Sequence, residues 1–270
     1  MSAGAPDPRP LQPLLQVRRD GASSALDKRI ANELRLEMFV NGRRLVAMNC
    51  SALGVNELVL GFLWLEQIID SVDDVDLIKL CLDDRLVEVK LHRDIDFAAY
   101  ERRRTITSGC GGGVTFADLM EARAIAPLTG GPGVEPRRLF ELMAALYQGA
   151  SWYRASGGLH AGALSDGERL LVEVEDLGRH NCVDKIAGRC LLEKIDPAGR
   201  ILLSTGRMSS EMVVKAARMG VPMVVSRTSP TDLSVELAAA MGITLVGYVR
   251  ADRMNVYTHA ERLVTAPAPR

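Results

Sequence analysis

The positions of apolar residues predict two successive structural units along this chain of 270 residues. In the first unit, alternating apolar and polar residues predict two β-hairpins separated by one helix. Asn41-Gly42 joins the strands of the first hairpin, because this dipeptide tolerates the positive φ of a tight turn. The predicted elements are the strands Arg35–Val40 and Arg43–Met48, a helix capped by Asn56 and reaching about Ile69, and the strands Leu77–Leu82 and Arg85–Leu91. We therefore expect a small α+β lobe over residues 27–104.

The second unit alternates strands with helices. This alternation is typical of a mostly parallel sheet covered by helices. Gly220 and Gly242 stand where helix-ending residues belong. The predicted strands are Leu170–Val174, Ile201–Ser204, Met223–Ser226 and Thr244–Val249, and the predicted helices are Arg137 to about Gln148, Arg179–Glu193, Ser210–Met219 and Asp232–Met241. These elements predict an α/β domain over residues 114–265.

Two segments fit neither unit. Residues 1–26 contain four prolines among small and polar residues, and we expect a mobile tail there. Residues 105–113 contain four glycines around Cys110, a composition that excludes a stable helix or a central strand. We expect a flexible loop that carries a thiol.

Composition narrows the classes of function. The net charge of −1 gives no overall attraction to nucleic acid or to an anionic membrane. No segment is apolar for long enough to span a bilayer, and no signal-peptide-like stretch stands near the N-terminus. Five cysteines without regular spacing favour a reduced, cytoplasmic protein. Four histidines and no C-x-x-C pair make a metal site improbable.

Arginines collect in the loops that follow the predicted parallel strands. The carboxyl ends of such strands share one edge of the sheet, where open α/β sheets bind ligands. Guanidinium groups and helix N-termini at this edge favour anions. A solvated charge is the ordinary role of any one loop arginine, but five on one edge predict a phosphate or nucleotide site. They are Arg179, Arg207, Arg227, Arg250 and Arg253.

Cys110 is the strongest candidate for thiol chemistry. Three arginines precede it at 102–104, and cations lower a thiol pKa from about 8.5 towards the reactive thiolate. The alternative is a small residue in a loop without chemical function. Cys50, Cys81 and Cys190 lie in apolar segments and are expected to be ordinary buried cysteines, whereas the sequence leaves the role of Cys182 open. His160 and His180 fit an acid, a ligand or a structural donor.

Six stretches of the chain resemble the FdhD family of formate dehydrogenase accessory sulfurtransferases. They are Asn56–Ile69, Thr107–Gly113, Ser156–Leu164, Glu175–Lys185, Ser204–Lys215 and Pro230–Thr258, and the eleven residues of Glu175–Lys185 are the most specific. The resemblance implies a cytidine-deaminase-like three-layer α/β/α domain and a homodimer. Gly162 replaces the catalytic glutamate of a zinc deaminase, so deaminase chemistry is not expected.

The resemblance also implies a function. Proteins of this family accept persulfide sulfur from a cysteine desulfurase and pass it to the molybdenum cofactor of formate dehydrogenase, bis(molybdopterin guanine dinucleotide). Cys110 then corresponds to the persulfide carrier, and the cofactor is bound cargo. The expected cofactor-binding residues are the C-terminal stretch Tyr248, Val249, Arg250, Ala251, Asp252 and Arg253, together with Arg179, His180, Arg207 and Arg227.

The sequence departs from the family at the loop. Gly113 stands where the family has a second cysteine, so a single-thiol relay is expected, with Cys182 as an alternative partner thiol. The same departure keeps a second hypothesis open, a chaperone that delivers the cofactor without moving sulfur.

Overall fold

The computed structural model describes residues 11–98 and 125–264, together with the backbone of two short paired strands, Thr105–Ile106 and Val114–Thr115. Cys110, Gly113 and the arginines at 102–104 lie outside the described residues. Numbered in chain order, the short strands are β7 and β8. No helix in the described ranges is long and apolar enough to cross a membrane.

The small lobe contains both predicted hairpins. Asn41 and Gly42 have φ values of 48° and 76°, as a tight turn requires. One helix covers the sheet, and its Leu58 and Phe62 pack on the buried Met38 and Val87. The strand order is β4-β3-β6-β5, with β3 at Leu34–Val40, β4 at Arg43–Cys50, β5 at Val75–Cys81 and β6 at Leu86–Leu91; α1 is Val55–Leu65, and a short 3₁₀ turn at Val72–Asp74 precedes β5.

The predicted bounds of α1 were wrong at both ends. The residue that caps the helix is Gly54, in the left-handed conformation with φ 57°, and not Asn56, which lies inside the first turn. The helix stops before Ile69 because Gln67 adopts a positive φ of 60°, which a continuing α-helix does not allow. Ile68 and Ile69 are nevertheless buried in the core of the small lobe.

The large sheet has six strands in the order β10-β9-β11-β12-β13-β14. Only the β11-β12 and β12-β13 pairings are parallel, so the prediction of a mostly parallel sheet was wrong for strand pairing. Both outer strands β10 and β14 and the inserted strand β9 pair antiparallel. Because β9 runs opposite to both of its neighbours, β10 still points the same way as β11, β12 and β13. The bounds are β9 His160–Ser165, β10 Leu170–Asp176, β11 Ile201–Ser204, β12 Met223–Ser226, β13 Thr244–Arg250 and β14 Arg253–Thr258.

Helices pack on both faces of this sheet. Leu202 and Val224 belong to the apolar core under α4, α5 and α6, whereas Leu203 and Val225 belong to the core under α2. Successive side chains of β11 and β12 therefore point alternately into the two apolar cores. The helices are α2 Pro136–Gly149, α3 Ser151–Ser156, α4 Arg179–Glu193, α5 Ser210–Arg218 and α6 Asp232–Ala240, and a 3₁₀ turn at Ala260–Arg262 follows β14.

The predicted tail contains a hairpin. The strands β1 Leu11–Val17 and β2 Ser23–Arg29 pair antiparallel, and Gly21 supplies the positive φ of 84° in their turn. Leu14 and Leu26 lie opposite each other and are the half-buried residues of the two strands. The sequence pattern did not predict this hairpin, and the expected mobility of the tail stays a prediction.

Helices α1 and α4 join the two units through glycine. A Cβ placed on Gly61 would lie 1.7 Å from the carbonyl oxygen of Asp184. A Cβ placed on Gly188 would lie 1.9 Å from the carbonyl oxygen of Glu57. The two helices thus pack backbone against backbone, at a separation that no residue with a side chain allows.

Candidate functional site

The strands β10, β11 and β12 end in the same kind of turn. In each, the side chain of the last strand residue accepts a hydrogen bond from the N–H two residues later, as Asp and Ser commonly do in turns. These bonds run from Gly178 N to Asp176 Oδ1 (2.9 Å), from Gly206 N to Ser204 Oγ (3.0 Å) and from Thr228 N to Ser226 Oγ (3.0 Å). The three turns place their loops side by side at one edge of the sheet.

Four of the five predicted arginines are at least partly exposed on this edge. Arg207, Arg250 and Arg253 are exposed, and Arg227 is half-buried with its guanidinium 4.7 Å from the ring centroid of Tyr147. Arg250 Nε donates to the carbonyl oxygen of Arg227 at 3.0 Å, so the loops after β12 and β13 are in direct contact. The clustering predicted from the loop positions is confirmed for these two loops.

Arg179 differs from the prediction. Its side chain is buried, with 6% of its surface exposed, and packs on the backbone of Gly206. A Cβ on Gly206 would lie 2.7 Å from Arg179 Cβ and 3.2 Å from His160 Nδ1, so glycine is required there. Arg179 is therefore part of the wall of the site and is not an exposed donor.

The stretch 248–253 forms the bent end of β13 and the turn into β14. Tyr248 and Ala251 have φ values of 54° and 46°, and the pairing register shifts between Gly247 and Arg250. The bend exposes Tyr248, Arg250, Ala251, Asp252 and Arg253 but turns Val249 into the core. The side chain of Val249 therefore cannot contact a ligand at this edge, unlike the side chains of the five exposed residues.

The most specific sequence stretch, Glu175–Lys185, forms a buried polar junction. Lys185 Nζ lies 2.5 Å from Asp176 Oδ2 and donates to Ser51 Oγ at 3.0 Å. Ser51 N donates to the same Asp176 oxygen at 3.0 Å. Asn181 Nδ2 donates to Asp176 Oδ1 at 2.7 Å, so Asp176 is saturated with donors. Since Ser51 follows β4, this junction ties the small lobe to the sheet edge.

A second buried cluster lies between α1, α4 and α5. Lys215 Nζ lies 2.5 Å from Asp184 Oδ1 and 3.7 Å from Glu66 Oε1. Burial raises the pKa of Asp184 to about 6, although Lys215 acts to lower it. Burial acts to lower the pKa of Lys215, but the two carboxylates outweigh it and raise that pKa. The interface between these helices therefore contains charged side chains that are buried from solvent.

His180 stands between the junction and the arginine loops. Its Nε2 lies 2.9 Å from Ser209 Oγ and 2.9 Å from Glu211 Oε2, both at the start of α5. Burial lowers the pKa of His180, and the hydrogen bond with Glu211 opposes this effect. The imidazole therefore holds the loop after β11 against α4, which makes His180 a structural donor in this structure.

His160 lines a cleft of about 420 Å³ beside the same edge. Its Nδ1 is buried without a hydrogen-bond partner among the described residues. Burial lowers the pKa of His160, and the nearby Arg179 lowers it further. Tyr153 and Thr205 line the cleft as well. The imidazole is therefore held neutral, with its unpartnered nitrogen enclosed beside Gly206.

Three of the four cysteines among the described residues are poor nucleophiles. Burial raises the pKa of Cys50 and of Cys190 to about 12. Burial also raises the pKa of Cys182, whose Sγ donates to the carbonyl oxygen of His160 at 3.6 Å. Cys81 is half-buried, contrary to the prediction of a buried residue, and its Sγ lies 2.9 Å from Asp84 Oδ2 in the small lobe. Cys110 lies outside the described residues.

Comparison with known proteins gives a family. The profile of the FdhD/NarQ family matches residues 31–264. This chain belongs to the FdhD/NarQ family. It is 33% identical over 247 residues to the sulfur carrier protein FdhD of Bacillus subtilis (strain 168), covering 90% of this chain and 93% of the relative. It is also 33% identical over 254 residues to the sulfur carrier protein FdhD of Staphylococcus aureus (strain MRSA252), covering 94% and 96%.

A solved structure supports the same assignment. It comes from Desulfotalea psychrophila and is described provisionally as a formate dehydrogenase accessory protein. The TM-score is 0.76 with 26% identity, over 95% of this FdhD/NarQ chain and 99% of the other. The family resemblance drawn from the six sequence stretches is therefore confirmed.

Sequence reasoning missed several residues of the site. Glu33, Asn49 and Thr205 line the cleft, and Ser51 completes the buried junction. The first two lie on or beside strands of the small lobe, far in sequence from the arginine loops. The hydrogen bond from Asn181 Nδ2 to the Asn49 carbonyl oxygen and the packing of α1 on α4 bring them to the edge, and no local sequence pattern indicates either contact.

Proposed function

We propose that this protein is a sulfur carrier that accepts persulfide sulfur from a cysteine desulfurase and passes it to bis(molybdopterin guanine dinucleotide), the cofactor that formate dehydrogenase needs for activity. The observation that carries the proposal is family membership over 31–264, since relatives over nearly the full chain are named sulfur carrier proteins. The structural neighbour described provisionally as a formate dehydrogenase accessory protein supports the choice of client.

Cys110 is the proposed carrier. Its thiolate attacks the terminal sulfur of the donor persulfide, the S–S bond of the donor breaks, and the donor cysteine leaves as a thiolate. A new persulfide is then held on Cys110. The raised pKa values of Cys50, Cys182 and Cys190 support this choice, because a thiol that stays protonated at neutral pH is a weak nucleophile.

The sheet edge is the proposed cofactor site. Arg207, Arg227, Arg250 and Arg253 supply cationic donors for the pyrophosphates of the two nucleotide tails. Tyr248 adds an exposed ring 5.7 Å from the guanidinium of Arg250. Arg179 and His180 contribute by holding the loop after β11 in place, because both side chains are largely enclosed.

We further propose that the relay uses a single thiol. Gly113 occupies the position of the second family cysteine, and Cys182 is buried against β9. A cytoplasmic homodimer with cytidine-deaminase-like layering is the assembly that the family resemblance implies, and we adopt it as part of the proposal.

Mass spectrometry tests the proposal. The protein is incubated with a cysteine desulfurase and cysteine, and each cysteine-containing peptide is searched for an added sulfur atom. We expect the persulfide on Cys110, and the matched Cys81→Ala variant should acquire it equally. If Cys110 acquires no sulfur while the protein still binds the cofactor, the cofactor-delivery chaperone becomes the better function.

A further inference from the structure

The hairpin of β1 and β2 turns its apolar face outward. Side chains of one strand alternate between its two faces, so Leu11, Leu15 and Val17 share a face of β1. The opposite face carries the half-buried Leu14 and Leu26, and it is therefore the face that lies against the rest of the protein. On the outward face, 57% of Leu11, 64% of Leu15 and 63% of Val17 is exposed among the described residues.

This orientation is the reverse of the one that burial favours. An apolar face ordinarily packs on a core, and a two-stranded hairpin by itself is only marginally stable in water. In each seven-residue strand of this hairpin, six positions are exposed. A contiguous exposed apolar surface marks a place where another macromolecule binds. We name the outward side chains of the hairpin the hairpin face, and its apolar members are Leu11, Pro13, Leu15, Val17 and Ala25.

The hairpin face is too small to hold a second copy of this chain by itself. Two strands of seven residues, at about 3.4 Å per residue and about 4.8 Å between strands, present roughly 230 Å². A stable interface buries about 800 Å² on each partner. The area is therefore typical of one part of a transient contact, in which the partner binds and then leaves.

The hairpin stands beside the entrance of the cleft at the sheet edge. Strand β2 packs on α3, the helix that carries Tyr153 to the cleft. The chain then passes Gly158, on which a Cβ would lie 3.2 Å from the Cβ of Ala31, and reaches Glu33 on the cleft wall. A protein bound on the hairpin face is thus within a strand length, about 24 Å, of the edge proposed to hold the cofactor.

We propose that the hairpin face is the docking surface for the apoenzyme that receives the cofactor. The inference rests on the proposed function, because it assigns one surface to one partner in that function. Of the two partner proteins, the recipient is the one that must reach the sheet edge, since the desulfurase needs only the thiol of Cys110. The recipient must also leave after delivery, which a small apolar contact allows.

The charges of the hairpin define the partner further. Cations outnumber acids around the apolar row, so the matching surface of the apoenzyme is apolar with an acidic rim. The cations are Arg18, Arg19, Lys28 and Arg29, and the acids are Asp20 and Asp27.

Binding of the apoenzyme to variants of the whole chain tests the proposal. Formate dehydrogenase of the same organism is purified without cofactor from cells that lack this chain, and its binding is measured by surface plasmon resonance. The variant Leu15→Ser/Val17→Ser removes two apolar side chains from the hairpin face. Leu77→Ser is the matched control, because Leu77 is also a strand leucine, 52% exposed, but belongs to β5 of the small lobe.

We expect the double variant to bind the apoenzyme about tenfold more weakly than the parent, as the loss of two side chains buried in the contact predicts. Leu77→Ser should bind as the parent does. In both variants, the melting temperature, the mass in solution and the persulfide loading of Cys110 should equal those of the parent.

No binding by the parent, unchanged affinity in the double variant, or an equal loss in Leu77→Ser overturns the proposal. A smaller mass of the double variant in solution also overturns it, because a second copy is then the occupant of the face. A lower melting temperature does the same, because the face is then covered by another part of this chain. Loss of persulfide loading places the desulfurase on the face instead. A parent that loads no persulfide contradicts the proposed function and leaves the binding comparison intact, so the two proposals fail separately.

Discussion

Asp176 and Lys185 form a fully buried ion pair, with Oδ2 and Nζ 2.5 Å apart and at most 2% of either side chain exposed. Asp176 ends β10 and Lys185 lies in the second turn of α4, so the ion pair fixes the direction in which the chain passes from the strand into the helix. Arg179, His180 and Asn181 lie between these two residues in the sequence, so the ion pair also fixes the backbone that carries them. The most specific stretch of the sequence is thus mainly a framework, which sets the positions of groups around the cleft.

Removal of the cation should destabilise the protein strongly. In Lys185→Met, the Asp176 carboxylate keeps its burial but loses its counter-ion, and such changes cost about 3–5 kcal/mol of the free energy of unfolding. Urea denaturation followed by circular dichroism measures the loss. Arg189→Met is the control, because Arg189 lies on the same helix in an exposed pair with Glu193, where about 0.5 kcal/mol is typical. Equal losses in the two variants would contradict the framework role.

Acidification should lower the free energy of unfolding because the imidazole of His160 is buried. The folded pKa lies below the unfolded value of about 6.5, so the unfolded chain binds a proton first as pH falls. Stability that His160 contributes at pH 7.5 is therefore lost as pH falls through about 6.5. The free energy of unfolding should decline more steeply between pH 7.5 and 5.5 in the parent than in His160→Gln, by at most about 1.4 kcal/mol per pH unit. His92 is exposed, and His92→Gln should follow the parent; a parallel decline in all three proteins would refute the assignment.

Loss of single edge arginines should weaken nucleotide binding. Arg207→Gln, Arg227→Gln and Arg250→Gln each remove a charged donor, and we expect the affinity for GDP to fall about tenfold per substitution. Arg253→Gln is expected to have the same effect if the second tail reaches the turn before β14. The affinity is measured by calorimetry at two salt concentrations, because screening should weaken the parent most. Arg189→Gln lies outside the edge and should leave GDP binding unchanged; the same affinity in every variant would place the phosphates elsewhere.

The number of thiols in the relay can be counted by substitution. Cys110→Ala should abolish maturation of formate dehydrogenase, whereas Cys182→Ala should retain it, because Cys182 is buried with a raised pKa. Activity of the client enzyme in cells that carry each variant is the measurement, and circular dichroism checks the fold. A loss in Cys182→Ala as deep as in Cys110→Ala, with the fold retained, would make Cys182 the second thiol. Gly113→Cys should add little to the transfer.

The strongly patterned elements could be predicted from the sequence. Helix α4 and strands β11 and β12 have the predicted bounds, because long amphipathic or continuous apolar runs leave little choice. Strand β9 escaped prediction, since His160–Ser165 is built from small residues with weak strand preference. Its insertion also made the sheet mixed. The periodicity of apolar residues predicts where a strand lies along the chain, but it does not indicate which strands will be its neighbours in the sheet.

The site was predicted less fully, for two physical reasons. An arginine in a loop is ordinarily solvated, and only the missing side chain of Gly206 lets Arg179 lie buried. The cleft draws on residues from both units, so Glu33 had no local signal that linked it to the arginine loops. The arginine edge itself could be predicted, because it depends only on strand direction.

The glycine contact between α1 and α4 bears on how this chain can be divided. Gly61 belongs to the unit over 27–104, and Gly188 belongs to the unit over 114–265, yet each helix completes the packing of the other. If the two units were produced as separate fragments, each fragment would expose the helix surface that packs on the other unit in the whole protein. Such fragments should be insoluble alone and should reassemble when they are produced in the same cell. The boundary that the sequence pattern suggests divides the chain between two units whose helices share one tightly packed interface.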